Sequence, residues 1–260
     1  MKNNNEPKIV YYKDLLNDEF SSAKITPKPI GDNYNYLGGF GRKIARIFVY
    51  HILARPIALA YLKLHYGHKI IGKEKLKHNK GGYYMYGNHT NPVADALIPS
   101  IVNMRKGTYV IVHPNNVSMP VLGRITPALG ALPLPDTMKA MKNFNKALKT
   151  VIEKKQCVMI YPEAHIWPYC TFIRPFKSMS FGYPISGDCA TFAITNTYVK
   201  RRFFKTPRIV TYIDGPFFPT DKTKSIKEQK EDLRNQVYDT MVNRSDGNTA
   251  FLVQYVPSDN

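Results

Sequence analysis

The chain has 260 residues, 43% of them apolar, with 37 Lys/Arg against 19 Asp/Glu and a formal net charge of +18. This length and apolar content give one large domain, or one domain with a small extra piece, and exclude a globally disordered chain. So basic a balance calls for an anionic partner: nucleic acid, a membrane surface or a phosphorylated substrate. Three cysteines, Cys157, Cys170 and Cys189, have neither paired nor metal-type spacing, so free thiols in a reducing compartment are expected.

Residues 1–38 read as a polar, proline-dotted arm with a short helix, and the first twenty lack the apolar run of a signal peptide. Phe40 to Gly67 follows, "FGRKIARIFVYHILARPIALAYLKLHYG". Arg46, His51, Arg55 and Pro56 interrupt its apolar residues. A spanning helix needs about 20 apolar residues with few charges, so the pattern predicts an interfacial amphipathic helix instead. Pro56 is expected to kink or split it. Ten Lys/Arg and one acid, Glu74, fall between Gly41 and Lys80, which sets half of the net charge beside this helix. Packing of the same helix on the domain is the alternative.

Beyond it the pattern alternates. "HKIIGKEKL" reads as a short strand and turn, "GGYYMYGNH" as a buried strand ending at His89, and "NPVADALIPSIVNMR" as a helix capped by Asn91 with Pro92 in its first turn. "GTYVIVHP" is a strand. "MPVLGRITPALGALPLPD" is a Gly/Pro-rich connection with a short strand near Ala131–Leu134. Met138, Met141, Phe144, Leu148, Val151 and Ile152 repeat at helical spacing. "QCVMIYPEAH" is a strand broken at Pro162, Ile209–Ile213 another, and "SIKEQKEDLRNQVYDTMVNR" a polar helix. The prediction is an α/β fold: a mostly parallel central sheet flanked by helices, with an N-terminal amphipathic helical region. Residues 1–66 form the arm and basic interface helices, and 67–260 the α/β domain.

Three stretches can carry chemistry. In "YGNHTNPVAD", His89 stands at the C-terminal end of a strand, where α/β sheets place ligands. Asp95, in the first turn of the next helix, can accept from one ring nitrogen and leave the other as a base. A turn histidine beside an aspartate that only complements the helix dipole is the alternative, and this stretch alone favours it. In "MIYPEAHIW", Glu163 reaches the same sheet edge if the sheet is parallel, or is a surface residue of a proline turn. In "TFIRPFKSMSF", Arg174 and Lys177 suit a phosphate, or are ordinary surface cations.

The order of these pieces resembles the PlsC-type glycerolipid acyltransferase family. His89 and Asp95, "GALPLPD", an amphipathic helix, "VMIYPEAH" and then "FK" follow that family's sequence of motifs over roughly Ile70 to Tyr212; Asn88 before His89 also fits. The family spaces its His and Asp by four residues; here five intervene, Thr90 to Ala94. Its Gly-Thr-Arg is Ala164-His165-Ile166, the arginine after its Gly-strand motif is missing from Leu132–Asp136, and the proline of its last motif is replaced near Cys189-Ala190. If Asn91-Pro92 starts the helix one residue late, Asp95 still faces His89.

The resemblance implies that His89 takes the proton of an acceptor hydroxyl, oriented by Asp95. The hydroxyl attacks an acyl thioester, acyl-CoA or acyl-carrier protein, with no acyl-enzyme. The implied acceptor is a lysophospholipid, 1-acylglycerol-3-phosphate by family frequency. Backbone N–H groups near Val93 are expected to hold the oxyanion, and Glu163 the acceptor's glycerol part. Asn88 and His165 join the expected substrate contacts, and Arg174, Lys177 or Arg124 stand in for the lost arginines. No metal or resident cofactor is implied, nor nucleic acid. The implied location is the cytoplasmic face of the cell membrane, peripheral or monotopic, on its anionic surface. The alternatives are an inactive membrane- or anion-binding relative, given the altered spacing, and an acyl-thioester hydrolase, for which no Gly-x-Ser-x-Gly elbow is visible.

Overall fold

The computed structural model describes residues 6–20 and 26–258. Strand β1 (Lys8–Tyr12) opens the arm. Helix α1 (Phe40–Ala45) passes through a π-wound stretch, Arg46–Ala54, into α2 (Arg55–Tyr66). Then come β2 (Lys69–Ile71), α3 (Lys73–His78), β3 (Tyr83–Gly87), α4 (Ala94–Val102), β4 (Thr108–Val112), α5 (Asn115–Ser118), α6 (Leu122–Leu129), β5 (Ala131–Pro133), α7 (Met138–Glu153) and β6 (Cys157–Ile160). The chain ends with α8 (Gly182–Ser186), β7 (Ala190–Arg201), β8 (Phe204–Phe217), α9 (Ile226–Ser245) and β9 (Val253–Pro257).

Seven strands form the central sheet in the order β2-β8-β7-β3-β6-β4-β5. The five from β7 to β5 run parallel, β8 turns back antiparallel to β7, and β2 runs parallel to β8. The mostly parallel sheet expected from the sequence is therefore present, with two reversed strands at one side. Both faces are covered, as parallel strands require. Alternate residues of β3 serve opposite cores: Tyr84 and Tyr86 pack with α7 and α9, and Tyr83 and Met85 with α2 and α4.

The arm differs from its prediction. Its described residues hold β1, paired in parallel with β9, rather than a helix; residues 1–5 and 21–25 lie outside the described residues. The connection before β5 contains α6, closed by Gly130 in a left-handed conformation. The strand predicted at Ile209–Ile213 is the centre of a long hairpin whose other arm, β7, has no counterpart among the predicted strands.

Pro56 does not split its helix. Phe40–Tyr66 is continuous over 27 residues, and its winding widens instead. The N–H of Arg55 bonds to the carbonyl of Tyr50, five residues back. Proline cannot donate and its ring collides with the carbonyl four residues back in an α-helix; a widened turn ahead of it takes up that misfit. Tyr50, Arg55, Ala58, Leu62 and Tyr66 are buried against the domain, while Phe48, Ile52, Ile57 and Leu64 are exposed. The helix is thus packed on one side and apolar to solvent on the other. By length and composition it could cross a membrane.

Two of the cations counted towards a membrane surface are used internally. Arg46 lies between the rings of Tyr50 and Tyr109, 4.3 and 4.1 Å from their centroids, and donates to the carbonyls of Thr108 and Ala128. Arg55 is 2% exposed. It donates to the carbonyls of Asn103 (3.2 Å), Met104 (2.9 Å) and Lys106, just past the C-terminus of α4. Carbonyls past a helix end lack intrahelical donors, so the cation supplies donors and complements the helix dipole together; the Asn103 carbonyl also accepts from the Lys106 N–H (3.4 Å). Replacing Arg55 with Leu removes those donors from the interior. We expect a loss of about 3 kcal/mol in urea unfolding; a change under about 1 kcal/mol contradicts this reading of Arg55.

Candidate active site

Strand β3 delivers His89 to the C-terminal edge of the parallel strands. At Gly87 an added Cβ would lie 2.3 Å from the Met159 methyl and 3.2 Å from the Ile194 carbonyl, so a larger residue would require Met159 to move and the strand to give slightly. Asn88 is buried. Its amide donates to the Asn196 carbonyl (3.0 Å) and its oxygen accepts from the Asn196 N–H (2.8 Å), which ties the end of β3 to β7. Asn88 therefore does not face a substrate; it fixes the strand end from which His89 emerges.

The next residues start α4. The Asn91 side-chain oxygen accepts from the N–H groups of Val93 (3.2 Å) and Ala94 (2.9 Å), and its carbonyl from that of Asp95 (3.0 Å). Helix α4 begins at Ala94, so Asp95 lies in its first turn. The late start expected of Asn91-Pro92 accommodates the extra residue. The capping also occupies the N–H groups of Val93, Ala94 and Asp95, which corrects the expectation that donors near Val93 hold an oxyanion.

His89 Nδ1 lies 2.9 Å from Asp95 Oδ2, with the His89 side chain 18% exposed and that of Asp95 1%. Oδ2 also accepts from the N–H groups of Thr90 (2.7 Å) and Asn91 (2.8 Å), while Oδ1 faces the Asn196 amide at 3.4 Å. Each of these partners is a donor to the carboxylate, so its bond to His89 requires the proton on Nδ1. Nε2 of the neutral ring is then free to act as a base. The ring stacks on Tyr161, with centroids 4.3 Å apart.

A polar chain that the sequence does not reveal continues behind Asp95. The Thr211 hydroxyl lies 2.6 Å from Asn196 Oδ1 and 2.7 Å from His68 Nε2. The Asn196 amide must point its NH₂ at the carboxylate, so its oxygen accepts from Thr211, which in turn accepts from His68 Nε2–H. Burial pushes the His68 pKa down to about 4 and keeps this ring neutral. All the hydrogen bonds point toward Asp95. Only spatial proximity, invisible in a linear string, assembles them.

Glu163 and Arg174 come together, but not as substrate ligands. Glu163 accepts from the backbone N–H of His89 (2.9 Å) and that of Arg174 (3.0 Å), and its side chain and that of Arg174 are each 1% exposed. The Arg174 guanidinium reaches Glu163 at 3.4 Å, donates to the carbonyls of His165 and Leu15, and lies 4.7 Å from the centre of the Trp167 ring. Burial raises the Glu163 pKa, opposed by Arg174 and the two N–H donors. The expected contact of Glu163 with glycerol, and of Arg174 with phosphate, gives way to a buried pair that holds the His89 loop: both groups are spent on each other and on backbone. His165 is half-buried, 3.8 Å from Glu19, and Lys177 and Arg124 are exposed. Ala164 adopts φ 64°, a left-handed conformation that suits the glycine of the family pattern.

A three-layer α/β domain with a His–Asp pair at the C-terminal edge of its parallel strands defines the class. Residues 68–191 match the family model described as Acyltransferase. The structure is similar to that of the 1-acyl-sn-glycerophosphate (LPA) acyltransferase PlsC from Thermotoga maritima, at 14% identity with a TM-score of 0.52, over 79% of this chain and 93% of that one. No curated protein matches the chain. The family match covers just under half of the chain, and the structural likeness shows that the chain shares the fold of that acyltransferase.

The buried His68 makes stability depend on pH. Its folded pKa, about 4, lies below the usual histidine value of 6.5. The unfolded chain therefore binds a proton there that the folded chain refuses, and the contribution is complete above pH ~6.5 and lost as pH falls toward 4. We expect urea unfolding to show on the order of 2 kcal/mol more loss between pH 7 and pH 5 for the wild type than for His68→Gln. Equal losses contradict this account.

Proposed function

We propose that this acyltransferase moves a fatty acyl group from acyl-CoA or acyl-carrier protein to the hydroxyl of a lysophospholipid, with 1-acylglycerol-3-phosphate as acceptor, in phospholipid synthesis at a membrane. The observation that carries the reading is His89, bonded through Nδ1 to a buried Asp95 and partly open to solvent. The acceptor hydroxyl gives its proton to Nε2 as its oxygen attacks the thioester carbonyl. The imidazolium, stabilised by Asp95, then returns the proton to the departing thiolate. The substrate supplies the hydroxyl that a serine supplies in a catalytic triad. The choice of acceptor rests on the substrate in the name of the PlsC neighbour. The apolar outer face of the Phe40–Tyr66 helix suits a peripheral position on the membrane. With Arg174 buried, Lys177, Arg124 and His165 are left to meet the headgroup phosphate.

The hydrolase alternative requires a protein nucleophile. All three thiols are buried, and burial pushes Cys170 up to about 12 and raises Cys157 and Cys189. Protonated, enclosed thiols are poor nucleophiles.

In a radiolabel assay with acyl-CoA and 1-acylglycerol-3-phosphate, His89→Ala is expected to lower kcat by about 10²–10⁴-fold, and Asp95→Asn by a similar factor through loss of the correct tautomer. Turnover by His89→Ala equal to wild type contradicts the assignment. Acyl-CoA loss that is independent of acceptor favours hydrolysis.

A further inference from the structure

The hairpin joining β7 to β8 ends in a two-residue turn, Arg202-Phe203. Turns this tight favour glycine and asparagine. Here Phe203 is 82% exposed and Phe204 60%, with nothing apolar covering them. Lys200, Arg202, Lys205 and Arg208 are exposed around them. Arg202 lies 5.2 Å from the centre of the Phe203 ring, and Arg201 4.1 Å from that of Phe204.

The register places this tip. Gly87 of β3 pairs with Ile194 of β7, and the two strands are parallel. From Ile194 strand β7 continues to Arg201, so the turn projects roughly 20 Å past the level of Gly87, on the edge that bears His89. Arg201 fastens the tip to the end of α2 through the His65 carbonyl (2.7 Å) and to its own hairpin through the Thr206 carbonyl (2.7 Å). Beside that contact stands Leu64, 79% exposed, on one helical face with Tyr61 and Ile57. The aromatic tip is therefore tied to the C-terminal end of α2, a helix with an exposed apolar face, where Tyr66 meets Asn91 of the site.

We propose that the Arg202–Phe204 hairpin tip is a second membrane anchor, inserting both phenylalanines into the interface of an anionic bilayer while the surrounding Lys and Arg bind headgroups. Aromatic rings and basic residues are the side chains such interfaces take up. A projecting turn with two bare rings is convex; a bilayer accepts it without a preformed pocket. Together with the α2 face it fixes the sheet edge against the lipid, so that His89 meets an acceptor without that lipid leaving the membrane. This inference rests on the membrane reading above.

The test places a tryptophan at the tip. Trp167 is 0% exposed and supplies a steady background. With phosphatidylglycerol vesicles carrying brominated acyl chains, the fluorescence of Phe203→Trp is expected to be quenched relative to unbrominated vesicles, and that of the wild type not. Phe203→Ser/Phe204→Ser is expected to float with these vesicles about tenfold less than wild type or lower still, about the contribution of one buried aromatic ring. Its transfer to a monodisperse short-chain acceptor should be unchanged. A Phe203→Trp variant that is not quenched, or flotation of the double variant equal to wild type, overturns the proposal. So does a double variant that floats normally but loses binding to an acidic carrier protein. If no acceptor is acylated yet Phe203→Trp is quenched, the reaction assignment fails and the anchor stands.

Discussion

The site depends on one buried carboxylate. Asp95 sits inside the domain at 1% side-chain exposure and is surrounded by donors: His89 Nδ1, the backbone N–H groups of Thr90 and Asn91, and the Asn196 amide. An isolated anion there would be costly. Paired with these donors it sets the tautomer of His89, closes the loop between β3 and α4, and ties that loop to β7. Removing any one donor leaves the charge less compensated, which is why the surrounding residues are polar in an otherwise apolar layer.

The rest of the fold positions that carboxylate. Asn88 and Asn196 lock β3 to β7 where the strand ladder ends. Glu163 takes the His89 N–H from the other side, and Arg174 neutralises Glu163. The guanidinium arrives from eight residues beyond Ile166, where the family pattern has its arginine. The loop thus holds a buried cation. The arm contributes as well: the Leu15 carbonyl accepts from Arg174, and that of Asp18 from the Trp167 indole at 2.8 Å.

Much of this is legible in the sequence, for local reasons. Tyr83–Gly87 and Cys157–Ile160 are apolar runs closed by turn residues, and α7 repeats its apolar positions at helical spacing, so both periods can be read directly. His89 and Asp95 are legible because Asn91-Pro92 marks a helix start and fixes where Asp95 falls. What is not legible depends on tertiary contacts. Arg55 and Arg46 look like interface cations until the distant carbonyls they satisfy are in place. Glu163 and Arg174 look like ligand contacts until each proves to be the other's partner. The chain from His68 through Thr211 to Asn196 joins segments far apart in the sequence. Strand β7 escapes a pattern reading because its Thr- and Asn-rich run lacks a clean alternation: it is buried on both faces.

The central claim is that Asp95 holds the proton of neutral His89 on Nδ1 and leaves Nε2 bare. Nitrogen NMR of the protein labelled at its histidine rings, with His89 assigned by comparison with His89→Gln, tests it most directly. The account predicts a protonated Nδ1 and an unprotonated Nε2 for the neutral ring, with that distinction lost in Asp95→Asn. A neutral His89 carrying its proton on Nε2 in the wild-type protein would contradict it.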